Sequence, residues 1–251
     1  MTDTMASPLD GKCVVVTGAS SGIGAVAVRM LAAAGARLVI GARRVERLDA
    51  LAAELGAGRV VAVPTDMRVE ADVVHLVATA RERFGGVDAL VNNAGLGRKA
   101  PVSSAPSEPW REMLETNVLG LLIATREAIQ DMDRRGVAGH VVHVSSMAAH
   151  RVPGADAAVY AGTKFAVRAI AEGLRQELRA RQSPIRVSCV SPGWVETEFA
   201  QVFAGPSGTP QSPGVKQLEA ADIAGAILWV LSQPPHVEVH DVLVRPTAQR
   251  N

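Results

Sequence analysis

The sequence predicts an α/β fold in which one doubly wound parallel sheet of seven strands carries helices on both faces. Seven apolar, β-branched runs are candidate strands, at residues 13–16, 37–40, 60–63, 89–91, 140–144, 185–190 and 237–244. The segments between them are rich in Ala, Leu, Arg and Glu and have a helical pattern, at roughly 23–34, 44–55, 69–84, 107–135, 157–181 and 220–232. Strands that alternate with helices in this way are typical of a covered parallel sheet.

Length and charge restrict the domain organisation and the class of partner. A chain of 251 residues, 48% of them hydrophobic, is long enough to bury a complete core, and we expect residues 1–251 to form a single domain. The 26 basic and 25 acidic residues are scattered and leave a net charge of +1. This balance argues against a surface for nucleic acid or for an anionic membrane and favours a small molecule as the partner.

The sequence contains no targeting or spanning signal that we recognise. The first dozen residues lack the charged start and apolar run of a signal peptide, and the longest apolar stretches, such as 119–124, are too short to cross a bilayer. We therefore expect a cytoplasmic location. Cys13 and Cys189 lie in apolar, strand-like runs without Cys-x-x-Cys spacing, which predicts two buried, reduced thiols.

The six histidines do not predict a metal site. None has His-x-x-x-His spacing within a helical pattern, because His236 and His240 fall at the last candidate strand, and His140 and His143 would point to opposite faces of a strand. We expect no metal.

A glycine-rich loop follows the first candidate strand directly and precedes a helical pattern that Gly35 ends. Glycines let the backbone turn tightly and approach a pyrophosphate, while the helix offers unpaired N–H groups and the positive end of its dipole. Two serine hydroxyls add further donors. The order of strand, loop and helix predicts a nucleotide cofactor, with contacts from Gly18, Ser20, Ser21, Gly22, Ile23 and Gly24.

The end of the second strand carries two arginines where an NAD site usually has a carboxylate. That carboxylate lies about twenty residues beyond the glycines and accepts a hydrogen bond from the ribose 2′-OH. Arg43 and Arg44 instead stand at the start of a helix, where the dipole disfavours cations unless an anion binds. We predict a 2′-phosphate clamp, and so NADP(H), with Arg43 as the main contact. The alternative is a pair of solvated arginines partnered by Glu46 or Asp49.

The third and fourth strands also end in candidate cofactor contacts. Asp66 and Met67 stand where a carboxylate and an apolar side chain could border an adenine ring, although Asp66 is equally explained as a helix cap. Asn93, Ala94 and Gly95 follow the fourth strand, at the edge where ligands of open α/β sheets bind.

Tyr160, the only tyrosine in the chain, is the candidate for proton transfer. Lys164 follows at i+4, so the two side chains share a helix face. The lysine ammonium and the positive ring of an oxidised nicotinamide would both lower the pKa of the phenol from about 10. Tyr160 could then exchange a proton with a substrate oxygen while a hydride moves at carbon. The spacing alone is common, but Ser146, at the end of the fifth strand, adds a hydroxyl that can hold that oxygen.

Taken together, these motifs resemble the short-chain dehydrogenases/reductases over nearly the whole chain. The resemblance rests on six motifs in order: residues 17–24, residues 92–95, Asn117, the serine before the tyrosine, Tyr160 with Lys164, and Pro192-Gly193 with Thr197. It implies a Rossmann fold and a hydride transfer between a nicotinamide cofactor and a carbonyl or alcohol. Residues 159–178 and 242–247 look like those of a bacterial subgroup that includes clavulanic acid dehydrogenase and 3-hydroxy acid dehydrogenases.

The resemblance also assigns roles. It implies that Ser146 orients the carbonyl, that Tyr160 is the general acid/base, and that Lys164 tunes Tyr160 and binds the nicotinamide ribose. It implies that Asn117 anchors a water relay reaching Lys164. Four residues after the sixth strand would hold the nicotinamide end, with Thr197 at the carboxamide: Pro192, Gly193, Val195 and Thr197. It further implies a homo-oligomer, a tetramer or a dimer, built through the helices near 107–135 and 157–181.

Three features depart from a regular pattern. The interval from Ser146 to Tyr160 is one residue longer than is usual, so either the loop at 155–158 bulges or Ser145 takes the role of Ser146. Ala149 stands where a glycine is common. The segment 205–214, with three glycines and three prolines, is too long for an ordinary connection and predicts either a disordered surface loop or a substrate lid spanning about 198–218.

Two functional hypotheses follow. The first is an NADP(H)-dependent oxidoreductase, and the second is a non-catalytic module that senses NADP and controls a partner protein. Family members that become sensors typically lose the tyrosine or the lysine, and both are present here. Trp194, Phe199, Val202 and Phe203 suggest an apolar pocket wall, but the sequence does not choose between hydroxy acids, ketones, aldehydes and acyl thioesters.

Overall fold

The fold is a seven-stranded parallel sheet, as the sequence predicts, and its strand order is β3-β2-β1-β4-β5-β6-β7. The computed structural model describes residues 7–204 and 216–249. The strands are β1 (Cys13–Thr17), β2 (Arg37–Ala42), β3 (Val60–Pro64), β4 (Ala89–Asn92), β5 (His140–Val144), β6 (Arg186–Pro192) and β7 (Asp241–Val244). Each pair of neighbouring strands is parallel.

Eight α-helices connect and cover the described strands. They are α1 (Gly22–Ala33), α2 (Val45–Leu55), α3 (Glu70–Phe84), α4 (Ser107–Leu114), α5 (Gly120–Arg135), α6 (Ala158–Ala180), α7 (Glu198–Ala204) and α8 (Ala220–Leu231). Two differences from the predicted pattern stand out. The last strand begins at Asp241 rather than at 237, and a π-helical turn at Glu115–Leu119 joins α4 to α5 within the predicted helix 107–135.

The sheet is buried on both faces because most residues of its central strands are apolar. All five residues of β1 are buried. One core cluster combines β1 and β2 with residues of α1, α2 and α8, and the other combines the opposite faces of the strands with α3, α5 and α6. The chain reverses its direction of travel across the sheet between β1 and β4, which leaves a crevice at their carboxyl ends, where open α/β sheets bind ligands.

The two cysteines are free and buried, as predicted. Burial raises the pKa of each thiol to about 12. Within the described ranges, no helix combines the length and apolarity needed to cross a membrane.

Two buried histidines of β5 predict acid sensitivity. His140 Nε2 lies 2.9 Å from Ser188 Oγ, and burial lowers the pKa of His140, as of His143, to about 3. Between pH 3 and the ordinary pKa near 6.5 the unfolded chain binds more protons, so the free energy of unfolding falls as the pH falls through this window. Each pH unit costs up to about 1.4 kcal/mol per histidine.

We expect His140→Gln to lose less stability than the parent between pH 6.5 and pH 4.5, in urea unfolding measured in parallel. The exposed His75 provides the matched control, because His75→Gln should follow the parent. Equal slopes for the parent and His140→Gln would contradict the prediction.

Candidate active site

A cleft of about 520 Å³ opens at the carboxyl edge of the sheet. Every residue that the sequence proposes for the cofactor or the reaction lines it, with the exception of Asn117. These residues come from the ends of six strands, β1 to β6, and from the first turns of α1 and α6. The topology thus brings together positions that are up to 179 residues apart, Gly18 and Thr197.

The glycine-rich loop is fixed against the end of β4. Gly18 has a φ of +68°, and a Cβ there would lie 2.7 Å from Ala94 Cα, so a side chain is excluded by both conformation and space. Asn93 Nδ2 donates to the carbonyl oxygens of Thr17 at 2.9 Å and Gly18 at 3.0 Å. The side-chain amide of Asn93 thus fixes the conformation of the glycine-rich loop. The same two hydrogen bonds hold Asn93 at the cleft.

The start of α1 fits a phosphate group. Ser21 is the N-cap residue, but its side chain makes no capping hydrogen bond, and the first turn has no acidic residue. The backbone of Gly22, Ile23 and Gly24 lines the cleft. Unpaired N–H groups at a helix start, next to hydroxyls and a glycine cradle, are the features that hold a pyrophosphate in this type of fold.

Arg44 is held by the glycine-rich loop and by a distant carboxylate. Its Nε donates to Ser20 Oγ at 3.2 Å and its Nη2 to Ser21 Oγ at 2.5 Å. Its Nη1 lies 2.7 Å from Glu198 Oε2, at the start of α7. Hydrogen bonds from Arg47 and Arg44 lower the pKa of Glu198 to about 2. The interpretation of Glu46 or Asp49 as the partner is therefore wrong for Arg44, and Glu198 supplies the negative charge at the start of α2.

Arg43 remains available to a ligand. It is exposed and makes no hydrogen bond or ion pair within residues 7–204 and 216–249. Its neighbour in the cleft is Asp66, whose pKa is lowered mainly by a hydrogen bond from Arg68 and, to a smaller extent, by the charge of Arg43.

Asp66 and Met67 border the same part of the cleft. Asp66 Oδ1 accepts a hydrogen bond from Arg68 N at 3.0 Å, and the Arg68 guanidinium pairs with the carboxylate at 2.8 Å. The N-cap of α3 is Val69, so Asp66 does not cap that helix. Met67 is buried against Gly120, where a Cβ would lie 2.4 Å from the Met67 carbonyl oxygen.

Tyr160 and Lys164 lie side by side in the first turns of α6, and both are buried. Burial raises the pKa of Tyr160 to about 12, while a hydrogen bond with Ser146 acts in the opposite direction. Burial also lowers the pKa of Lys164 to about 8. Lys164 Nζ donates to the carbonyl oxygen of Val144 at 3.0 Å, which ties α6 to the end of β5. In the protein by itself, the Tyr160 hydroxyl is thus protonated and uncharged at pH 7.

Ser146, rather than Ser145, contacts the tyrosine. The Ser146 hydroxyl accepts from Ala148 N at 3.0 Å and hydrogen-bonds with Tyr160. The Ser145 hydroxyl is buried and has no hydrogen-bond partner among the described residues. A short 3-10 turn at Ala155–Ala157 lies directly before α6, in the loop where the sequence allows for a bulge.

Asn117 is buried beside the cleft, inside the π-helical turn. Its side chain donates to the Leu96 carbonyl oxygen at 2.8 Å and to Thr163 Oγ1 at 3.0 Å, and it accepts from Leu96 N at 2.8 Å. A Cβ at Gly95 would lie 3.4 Å from Asn117 Oδ1 and 3.5 Å from Lys164 Nζ, so the two groups flank one small space. π-Helical turns are often found at functional sites, and the sequence pattern did not reveal this one.

The segment after β6 closes the other side of the cleft. Gly193 N donates to the Val244 carbonyl oxygen at 2.6 Å, and Val195 forms a bridge with Leu218. Thr197 faces the start of α1, because a Cβ at Gly22 would lie 3.2 Å from Thr197 Cγ2. The predicted lid at 198–218 is described only in part: α7 covers its beginning, and residues 205–215 lie outside the described ranges.

Sequence reasoning missed three residues of this region. Glu198 carries the ion pairs with Arg44 and Arg47, and Gln249 Oε1 accepts from Trp194 N at 3.2 Å. Gly97 lies against the aromatic rings of α7. Only contacts between distant segments distinguish these residues, and none carries a motif. In the parts of the chain that the structure describes, no group of three or more His, Cys, Asp or Glu could hold a metal ion.

Comparisons with known proteins agree with this arrangement. The family model described as short chain dehydrogenase matches residues 12–205. The chain is 43% identical to dehydrogenase/reductase SDR family member 11 of Bos taurus, over 94% of this chain and 96% of that protein. It is 42% identical to farnesol dehydrogenase of Aedes aegypti, over 96% and 98%. A closed form of serine dehydrogenase complexed with NADP+ superposes with a TM-score of 0.88 at 32% identity, over 95% of this chain and 96% of that one.

Proposed function

The chain belongs to the short-chain dehydrogenase/reductase family, and we propose that it is an NADP(H)-dependent oxidoreductase acting on a small carbonyl compound or secondary alcohol. The observation that carries the proposal is the grouping of Ser146, Tyr160 and Lys164 in the cleft that also holds the glycine-rich loop. A proton-transferring group and a cofactor cradle in one cleft are what a coupled transfer of proton and hydride requires.

Four residues of the cleft region have separate roles in the proposed reaction. The bound nicotinamide supplies or accepts the hydride. We propose that the Ser146 hydroxyl holds the substrate oxygen and that the Tyr160 hydroxyl gives a proton to it in reduction or takes one in oxidation. Lys164 holds the ribose and places a positive charge near the phenol, which favours the phenolate that oxidation needs. Asn117 positions Lys164 through its hydrogen bonds with Leu96 and with Thr163, the residue before the lysine.

The other residues that line the cleft can be assigned to parts of the cofactor. We assign the pyrophosphate to the glycine-rich loop, the adenine to Asp66 and Met67, and the nicotinamide to Gly95 and to the segment from Pro192 to Thr197. Arg43 would meet the 2′-phosphate, supported by its exposure and its position in the cleft. Arg44, occupied by Glu198 and the two serines, would reach that phosphate only by sharing or releasing these partners.

We expect Arg43→Ala to weaken NADP+ binding by at least about 1 kcal/mol, or roughly fivefold in Kd, because a charge-assisted contact is lost. NAD+ lacks the 2′-phosphate, so its Kd should hardly change. Titration calorimetry with both cofactors measures the difference. Arg47→Ala is the matched control, since Arg47 is exposed on the same side of the fold but does not line the cleft. Equal affinity of the parent for both cofactors would exclude the assigned preference.

The test of the function itself is a rate screen with NADPH and NADH over ketones, aldehydes, hydroxy acids and acyl thioesters. We expect turnover in at least one class, faster with NADPH. Tight cofactor binding without turnover in any class would instead favour a non-catalytic NADP sensor.

We further propose a cytoplasmic homo-oligomer, a tetramer or a dimer. Large apolar side chains are exposed on the helical surfaces that the family uses for assembly, including Leu114, Leu119 and Leu122 near α4 and α5 and Phe165 on α6. Exposed apolar surface of this kind is typical of protein interfaces. The free thiols of Cys13 and Cys189 are compatible with a reducing compartment.

A further inference from the structure

The substrate side of the cleft is covered by two aromatic rings of α7. The ring centroid of Phe199 lies 5.7 Å from that of Tyr160, and the ring centroid of Phe203 lies 5.4 Å from it. The two phenylalanine rings are stacked on each other at 6.0 Å. Phe203 is buried in a cluster with Ala100, Met113 and Tyr160. Aromatic carbon of Phe199 and Phe203 therefore borders the Tyr160 ring, while Ser146 supplies the polar contact to its hydroxyl.

Gly97 creates the room for these rings. A Cβ at this position would lie 2.5 Å from Phe203 Cδ2 and 2.9 Å from Phe199 Cζ, closer than real Cβ atoms approach. The φ of Gly97 lies outside the left-handed region, so an alanine would not strain the backbone. The glycine is thus required by the packing of the rings, and a methyl group there would push both of them away from Tyr160.

Arg98, which follows Gly97, does not offer a free charge to an anionic substrate. Leu96, Met147 and Trp194 line the cleft together with the phenylalanines. Arg98 lines it too, but its Nε lies 3.5 Å from Glu112 Oε2, so its charge is already compensated. A substrate carboxylate brought here would lose its hydration without gaining an unpaired cation from Arg98, whereas an apolar group would gain from leaving water.

We propose that Gly97, Phe199 and Phe203 form the specificity-determining wall of this enzyme, and that its substrates are ketones or secondary alcohols with an apolar group that packs on these rings, not hydroxy acids or oxo acids. The inference rests on the proposed function, because it assumes that Tyr160 is the group beside the reacting oxygen. Beyond the proposed function, it names the class of substrate and identifies Gly97 as a residue that selects this class.

The experiment compares 4-methyl-2-pentanone with 3-oxobutanoate, two methyl ketones of nearly the same shape that differ in an isopropyl group against a carboxylate. We expect the parent, with NADPH, to prefer the uncharged ketone by at least tenfold in kcat/KM. Gly97→Ala should lower kcat/KM for this ketone at least fivefold, mainly through KM, and so reduce the preference. The Kd of NADP+, measured by titration calorimetry, should remain within twofold of the parent.

Gly58→Ala is the matched control, because Gly58 is exposed and an added Cβ meets nothing within 4 Å. Phe199→Leu provides a second variant, which removes one ring without crowding and should also reduce the preference. Equal or faster turnover of 3-oxobutanoate by the parent would overturn the inference. Loss of that turnover in Arg151→Gln would show that Arg151, another cation of the cleft lining, binds the carboxylate. An unchanged preference in both Gly97→Ala and Phe199→Leu would overturn it as well. Absence of turnover for both compounds and across the four-class screen would overturn the proposed function and the inference together.

Discussion

Tyr160→Phe is expected to lower kcat by about 10²–10⁴-fold, because it removes the hydroxyl that exchanges a proton with the substrate and little else. The phenylalanine ring keeps the contacts with Phe199 and Phe203, so the aromatic wall stays in place. The measurement is steady-state turnover of the best substrate from the screen, with NADPH in excess. The rate loss should appear in kcat and in kcat/KM alike, since the lost interaction acts on the reacting oxygen in the transition state.

Cofactor binding provides the control for this variant. The Kd of NADP+ should stay within a few-fold of the parent, because the glycine-rich loop and Arg43 are untouched. Ser146→Ala offers a comparison, since Ser146 hydrogen-bonds with Tyr160 and should matter less than the proton donor itself. If Tyr160→Phe turned over substrate within a few-fold of the parent, Tyr160 would not be the proton-transferring group.

The fold was accessible from the sequence because its signals are local. The strands are short apolar runs rich in valine, such as Val14 to Val16, and helical segments alternate with them. The order of the strands in the sheet is not a local signal, because right-handed crossovers between parallel strands are compatible with more than one order. The prediction placed the start of β7 too early, because residues 237–240 alternate between apolar and polar as a strand does. In the structure only Asp241–Val244 pairs with β6.

The candidate site was predictable where residue type and spacing carry the chemistry. Tyr160, Lys164 and the glycines at 18, 22 and 24 are of this kind, and the structure brings them into one cleft. The partner of Arg44 was not predictable in this way, because Glu198 is 154 residues away along the chain. The role of Gly97 depends on how α7 packs, and a glycine without a positive φ has no local signature. The π-helical turn that holds Asn117 leaves the helical pattern of the surrounding sequence unchanged.

Lys164→Met is expected to lower kcat by about 10²-fold and, at the same time, to stabilise the protein at neutral pH. Burial lowers the pKa of Lys164 to about 8, so between pH 8 and the ordinary 10.5 the unfolded chain binds more protons than the folded chain. The free energy of unfolding of the parent therefore rises with pH through this window, and below it the buried charge is a constant cost. Removing that charge should stabilise the variant at pH 7 by on the order of 2–3 kcal/mol, after the lost hydrogen bond to Val144 is allowed for.

The sign of this effect separates a functional lysine from a structural one. Urea unfolding at pH 7.0 and pH 9.5 should show the advantage of Lys164→Met shrinking by about 2 kcal/mol at the higher pH, where the parent lysine is neutral in the folded protein. Lys12→Met, at an exposed position, should show no such change with pH. A lysine retained only for stability would make the variant less stable at pH 7, with no gain to lose at pH 9.5. A variant that is more stable yet nearly inactive would mean that the buried ammonium of Lys164 destabilises the protein and is needed for the reaction beside Tyr160.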